Sequence, residues 1–154
     1  MDANGRVLTI AAASGRVGHV LLETRKVVDL GMVRKASTGP EAARVYAAQQ
    51  IENLRPEVVV TEKVLSNSKK GEKTRSIIAA ITSVADVADV ESVEAVRGRS
   101  HKNRFEEAAD IARRYPELRP YLPEVRKPWE AEPKPLIYFE AIALVESVFG
   151  VKPL

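Results

Sequence analysis

Three apolar segments open the chain, separated by short polar links. Residues 6–12 carry Val7, Leu8 and Ile10 ahead of a run of alanines; residues 17–23 are apolar as far as Glu23; residues 27–33 are apolar around Gly31. Ser14-Gly15 marks a turn, and Thr24-Arg25-Lys26 is a short connection. Three strands so linked predict an antiparallel meander. Ser37-Thr38-Gly39-Pro40 then signals a helix start, with a capping hydroxyl and a proline near the first turn. The helix predicted over 40–54 places Val45, Ala48, Ile51 and Leu54 at helical spacing, and Pro56 ends it. Val58-Val59-Val60 is apolar without alternation, as in a strand covered on both faces, and the segment ends at Glu62.

Beyond a polar, lysine-rich stretch, residues 74–87 predict a second helix with Ile77, Ile78, Ile81, Val84 and Ala85 as its stripe. Residues 91–96 read as a fifth strand, and Ser100 as the cap of a helix reaching about Tyr115, with Phe105, Ala108 or Ala109, and Ala112 inward. Residues 116–135 contain six prolines and predict an extended connector, with Tyr121, Leu122 and Trp129 packed on the body. The last helix, over 136–149, is apolar nearly all round and so is expected to be buried, yet it carries Glu140 in its middle. The order β-β-β-α-β-α-β-α-α predicts an α/β fold, a mixed five-stranded sheet with helices on both faces. We expect one domain over 1–154, with its core between about 6 and 149.

Composition narrows the chemistry. A chain of 154 residues with 45% hydrophobic and 29% charged residues has the material for a substantial core. The absence of cysteine excludes disulfides, thiolate metal ligands and a cysteine nucleophile. No stretch approaches the roughly 20 apolar residues of a membrane span, and residues 1–5 show no basic segment leading into an apolar run, so a cytoplasmic location is expected. The net charge of +3 says little by itself. Its distribution says more: Lys69, Lys70, Lys73 and Arg75 form one cluster, and Arg97, Arg99, His101, Lys102 and Arg104 form another. Each follows a predicted strand, which points to phosphate contacts. His19 and His101 are the only histidines, and neither stands at a metal-ligand spacing. Ser14-Gly15-Arg16 matches no phosphate-binding loop, and no Ser-His-Asp set is evident.

The ordered set of segments resembles the RuvC-type Holliday-junction resolvases of the RNase H-like superfamily. The resemblance runs from about Arg6 to Phe149. Its landmarks are the first strand and turn (Ile10 to His19), the strand VVVTE ending in Glu62, the Glu91–Trp129 region, and the final helix with Glu140-Ala141-Ile142-Ala143-Leu144. It implies an RNase H-like fold and a homodimer. It also implies a cluster of acids holding two Mg²⁺ or Mn²⁺ ions roughly 4 Å apart for phosphodiester cleavage. Glu62 and Glu140 fall on two of the family's four acid positions. The other two are occupied by Ala11 and Ile137, which have no oxygen to offer.

Three readings follow. The first is a RuvC-like protein that binds branched or duplex DNA, in preference to RNA, with nuclease activity weakened or lost and no cofactor required. The second is an active Mg²⁺- or Mn²⁺-dependent endonuclease in which other acids substitute. The third is a protein-interaction module on the same fold. Glu62 and Glu140 are the candidate catalytic and metal-binding residues. If both face one cleft without metal, either a pKa rises or a nearby Lys or Arg relieves the repulsion. The stripe Ile77, Ile78, Ile81 and Val84 is a candidate dimer surface.

Overall fold

The structure, a computed structural model, describes residues 3–98, 101, 103–124 and 132–153. Its strands are β1 (Arg6–Ala13), β2 (Arg16–Glu23), β3 (Lys26–Val33), β4 (Val58–Glu62) and β5 (Glu91–Ala95). Its helices are α1 (Pro40–Leu54), α2 (Glu72–Val87), α3 (Arg104–Arg114) and α4 (Leu136–Phe149). The strands form the expected mixed sheet in the order β3-β2-β1-β4-β5. The β1–β2 and β2–β3 pairs are antiparallel; β1–β4 and β4–β5 are parallel.

The period of two in a strand sorts each central strand between two cores. Val7 and Ala11 of β1, Val58 and Val60 of β4, and Ala95 of β5 face the layer containing α3 and α4. Leu8, Ile10 and Ala12, with Val59, face the layer containing α1 and α2. The β2–β3 turn is tight, with Thr24 and Arg25 both at positive φ (53° and 58°). That is the hairpin conformation that suits the sheet twist, but without its usual glycine or asparagine. The Arg25 guanidinium fastens this turn to the end of α4, donating to the Gly150 carbonyl at 2.8 Å and the Tyr115 hydroxyl at 3.1 Å.

Several local expectations change. The buried face of α1 is Ala43, Tyr46 and Ala47; of the expected stripe Ile51 and Leu54 pack at its margin, while Val45 and Ala48 are exposed, because the sheet selects a stripe rotated from the one its aliphatic residues suggest. The stripe Ile77, Ile78 and Ile81 is covered by the sheet, with Val84 packed at its margin, so it is not a free dimer surface. α3 starts at Arg104 and is capped by Asn103, whose side chain accepts from the Glu106 amide at 2.9 Å; Ser100 lies outside the described residues. The connector begins as a 3₁₀ turn, Pro116–Tyr121, instead of extended chain, since a proline fits the first turn of a helix. Tyr121 packs edge-on against Tyr138, Leu122 is exposed, and Trp129 lies outside the described residues.

Candidate functional site

The site forms where β1 and β4 end side by side. The β1–β4 register runs Val7↔Val58, Leu8↔Val59, Thr9↔Val60, and carried two residues on it sets Ala11 beside Glu62. Both residues point to the α4 side, by the alternation of the strands. α4 crosses this face, anchored where the Thr9 hydroxyl donates to the Ala141 carbonyl at 3.1 Å. Its inward face brings Glu140 toward Glu62, and one turn earlier it lays Ile137 against Gly18, the partner of Ala11 in β2. A Cβ at Gly18 would stand 3.0 Å from the Ile137 side chain, so glycine is what lets α4 come this close.

Glu62 and Glu140 do converge, with Lys70 between them. The Lys70 Nζ donates to Glu62 Oε1 at 2.7 Å, to Glu140 Oε1 in a short contact, and to the Ala12 carbonyl at 2.9 Å. An ammonium has three protons, and here each finds an acceptor. Glu140 is 1% exposed, and burial alone would push its pKa up. The charges of Lys70 and Arg97, the Lys70 hydrogen bond and the charge of Arg104 outweigh that, and hold it below the usual glutamate value. Burial likewise works against the charge on Arg97, but Glu140 and Glu107 prevail and keep its pKa above the ordinary arginine value. Arg97 forms a short ion pair with Glu107.

Lys70 is delivered by the loop between β4 and α2. Arg75 braces that loop: its guanidinium donates to the Lys70 carbonyl at 2.8 Å, Ser68 at 2.8 Å, Leu65 at 3.2 Å and Ser66 at 3.4 Å. Lys70 and Arg75, expected at phosphate, are thus engaged inside the protein. Lys69 and Lys73 are exposed, Lys69 on the rim of the cleft and Lys73 on the outer surface of α2. His101 is turned toward α3, with Nε2 3.0 Å from Asp110. Asp110 is held well below the usual carboxylate range by hydrogen bonds from Arg114, Arg113 and His101. Arg97 and Arg104 line the cleft, while Arg99 and Lys102 lie outside the described residues.

The cleft above the Lys70 centre has a volume of about 790 Å³. Its walls carry Arg16, Arg34, Lys63, Lys69, Arg97, Arg104 and Lys134 against Glu62 and Glu132. The sequence reading did not single out Arg16, Arg34, Lys63 or Lys134. They stand alone or in mixed surroundings in the chain, and only the fold gathers them.

No protein-family model and no curated protein sequence matches this chain. Solved structures do. Thermus thermophilus RuvC aligns at a TM-score of 0.60 with 16% identity, over 97% of this chain and 99% of that one. The fold is that of the RuvC-type resolvases. The same T. thermophilus protein in complex with a Holliday junction substrate aligns at a TM-score of 0.61. Fowlpox virus resolvase in complex with junction DNA aligns at 0.57 with 14% identity over 93% of this chain and 98% of that one. The yeast mitochondrial Holliday junction resolvase aligns at 0.56 with 11% identity over 94% of this chain and 77% of that one.

The metal ions that the resemblance implies do not suit the residues present. Magnesium requires several hard oxygen ligands in near-octahedral array. Ala11 and Ile137 supply none and are packed in the core, 1% and 0% exposed. The two retained carboxylates already hold a cation covalently tied to the chain. Among the described residues no group of three or more His, Cys, Asp or Glu side chains is placed to hold a metal.

Proposed function

We propose that this chain binds DNA, branched or duplex, through the basic cleft on a RuvC-like fold, and that two-metal nuclease chemistry has been replaced by a fixed lysine. The observation that carries the reading is the Lys70 ammonium bonded to both Glu62 and Glu140. A tethered ammonium, with Arg97 and Arg104 nearby, offsets the charge of the acids, but it cannot activate water or stabilise a leaving oxygen as a Lewis acid does. The excess of basic groups around the cleft supports the binding half. So do the neighbours of the same fold whose structures hold junction DNA. DNA is favoured over RNA on the same grounds, and a homodimer follows from the family resemblance.

A labelled four-way DNA junction tests this directly. Native gels should show a complex that weakens steeply with salt. Denaturing gels at saturating protein, with Mg²⁺ or Mn²⁺ and an EDTA control, should show an intact junction. Metal-dependent symmetric nicks would overturn the loss of chemistry; failure to bind any junction or duplex would overturn the DNA reading. Light scattering on the free and bound protein reads the oligomeric state.

A further inference from the structure

Glu132 sits in the cleft with two guanidiniums on one of its oxygens. Arg16 Nη2 and Arg104 Nη1 both donate to Glu132 Oε1, each at 2.7 Å. They come from different elements, Arg16 from the start of β2 and Arg104 from the start of α3. Arg104 Nη1 also lies 4.0 Å from Glu140 Oε2, a buried oxygen without a hydrogen-bond partner among the described residues. Arg16 is only 6% exposed, and its Nη1 is tied to the Ser14 carbonyl at 3.0 Å. Its Nε is buried, with no hydrogen-bond partner among the described residues.

A buried guanidinium with an unmet donor is costly unless something satisfies it. The shared carboxylate offsets one of these two charges, and the other is faced by Glu140 at 4.0 Å without a hydrogen bond. The guanidinium fork matches the non-bridging oxygens of a phosphate as well as it matches a carboxylate, and a second oxygen would reach the vacant Nε. From this we infer that Arg16 and Arg104 form a seat for a backbone phosphate, and that Glu132 occupies the seat in the free protein as a tethered competitor. Binding DNA then requires the Glu132 carboxylate to leave. The inference rests on the DNA-binding reading for its ligand, but the seat itself is defined by the two arginines.

Junction affinity of E132Q against the parent chain tests it, at several salt concentrations. Removing the competitor should tighten binding about fivefold, the scale of a partly exposed ion pair. R104M should weaken binding and lower the slope of log affinity against log salt by about one. In the double variant E132Q/R104M the gain over R104M should be smaller than that of E132Q over the parent, because without Arg104 the Glu132 carboxylate competes at Arg16 alone. Thermal unfolding checks that each variant is folded, and E132A serves if E132Q is not. Unchanged or weaker binding by a folded Glu132 variant overturns the inference, as does a gain that is undiminished in the double variant, and in either case DNA binding by the parent still stands. Inorganic phosphate, followed by amide chemical shifts, separates the two claims. If no form binds DNA but E132Q binds phosphate more tightly than the parent at the Arg16 and Arg104 amides, the seat stands and the DNA reading falls.

Discussion

At the scale of single residues, Lys70 decides what the centre is. It is 12% exposed at the side chain, so its contacts with Glu62 and Glu140 are poorly screened. Removing one partner of a buried ion pair leaves an uncompensated charge, which typically costs about 3 kcal/mol or more. K70M should therefore lower the unfolding free energy by about that amount at pH 7. The sign of the pH dependence follows from Glu140. In the native protein its pKa is held below the ordinary value of 4.5, so its contribution is complete above that pH and is lost as pH falls below it. In K70M the main opposing charge is gone, burial raises the Glu140 pKa, and protonation then relieves the variant. The deficit of K70M should shrink between pH 7 and pH 4 in urea unfolding. An equal deficit at both pH values would mean that Lys70 contributes packing and not charge.

At the scale of elements, the β4–α2 loop shows why a basic residue cannot be assigned to phosphate from its neighbours alone. Arg75 and Lys69 belong to one cluster in the chain, but Arg75 is folded back onto four carbonyls while Lys69 is exposed on the rim. R75A should lose roughly 1–2 kcal/mol of stability and speed amide exchange over 65–71, with no change in the salt slope of DNA binding. K69A should do the reverse, lowering that slope by about one without a change in stability. A slope change in R75A would return Arg75 to the DNA surface. The same contrast marks what was legible beforehand. The meander, β4, α2 and α4 follow from local period and turn chemistry, which each segment carries within itself. The inward face of α1 does not, because small residues (Ala43, Ala47) and Tyr46 fill the space next to the sheet, and no local rule prefers them to Val45. Glu62 and Glu140 were visible as acids at apolar strand and helix positions. That Lys70 would be their shared partner was not, since the pairing spans 70 residues and depends on loop geometry.

At the scale of the whole molecule, the fold brings together the four positions at which the resemblance implies acids, although two of them are apolar here. Ala11 near the end of β1 and Glu62 at the end of β4 lie on adjacent parallel strands, and Ile137 and Glu140 lie one turn apart on the helix that crosses them. Ala11→Asp alone should gain no metal affinity, because Lys70 still holds both retained carboxylates, and a third acid on that buried face adds desolvation cost without freeing a ligand. The triple variant A11D/I137D/K70S offers four carboxylates and removes the resident cation. Their mutual repulsion should destabilise the free protein and raise its unfolding temperature again on addition of Mn²⁺, since a cation that binds only the folded state stabilises it. Electron paramagnetic resonance of Mn²⁺ titrated into the triple variant reads binding directly, and unfolding with and without the ion reads the linkage. Affinity in the triple variant and none in A11D would mean that Lys70 stands where the metal stands in a complete site. A folded triple variant with no Mn²⁺ affinity would mean that these strand and helix ends no longer converge closely enough to share an ion, and Lys70 would then be only the partner of two stranded acids.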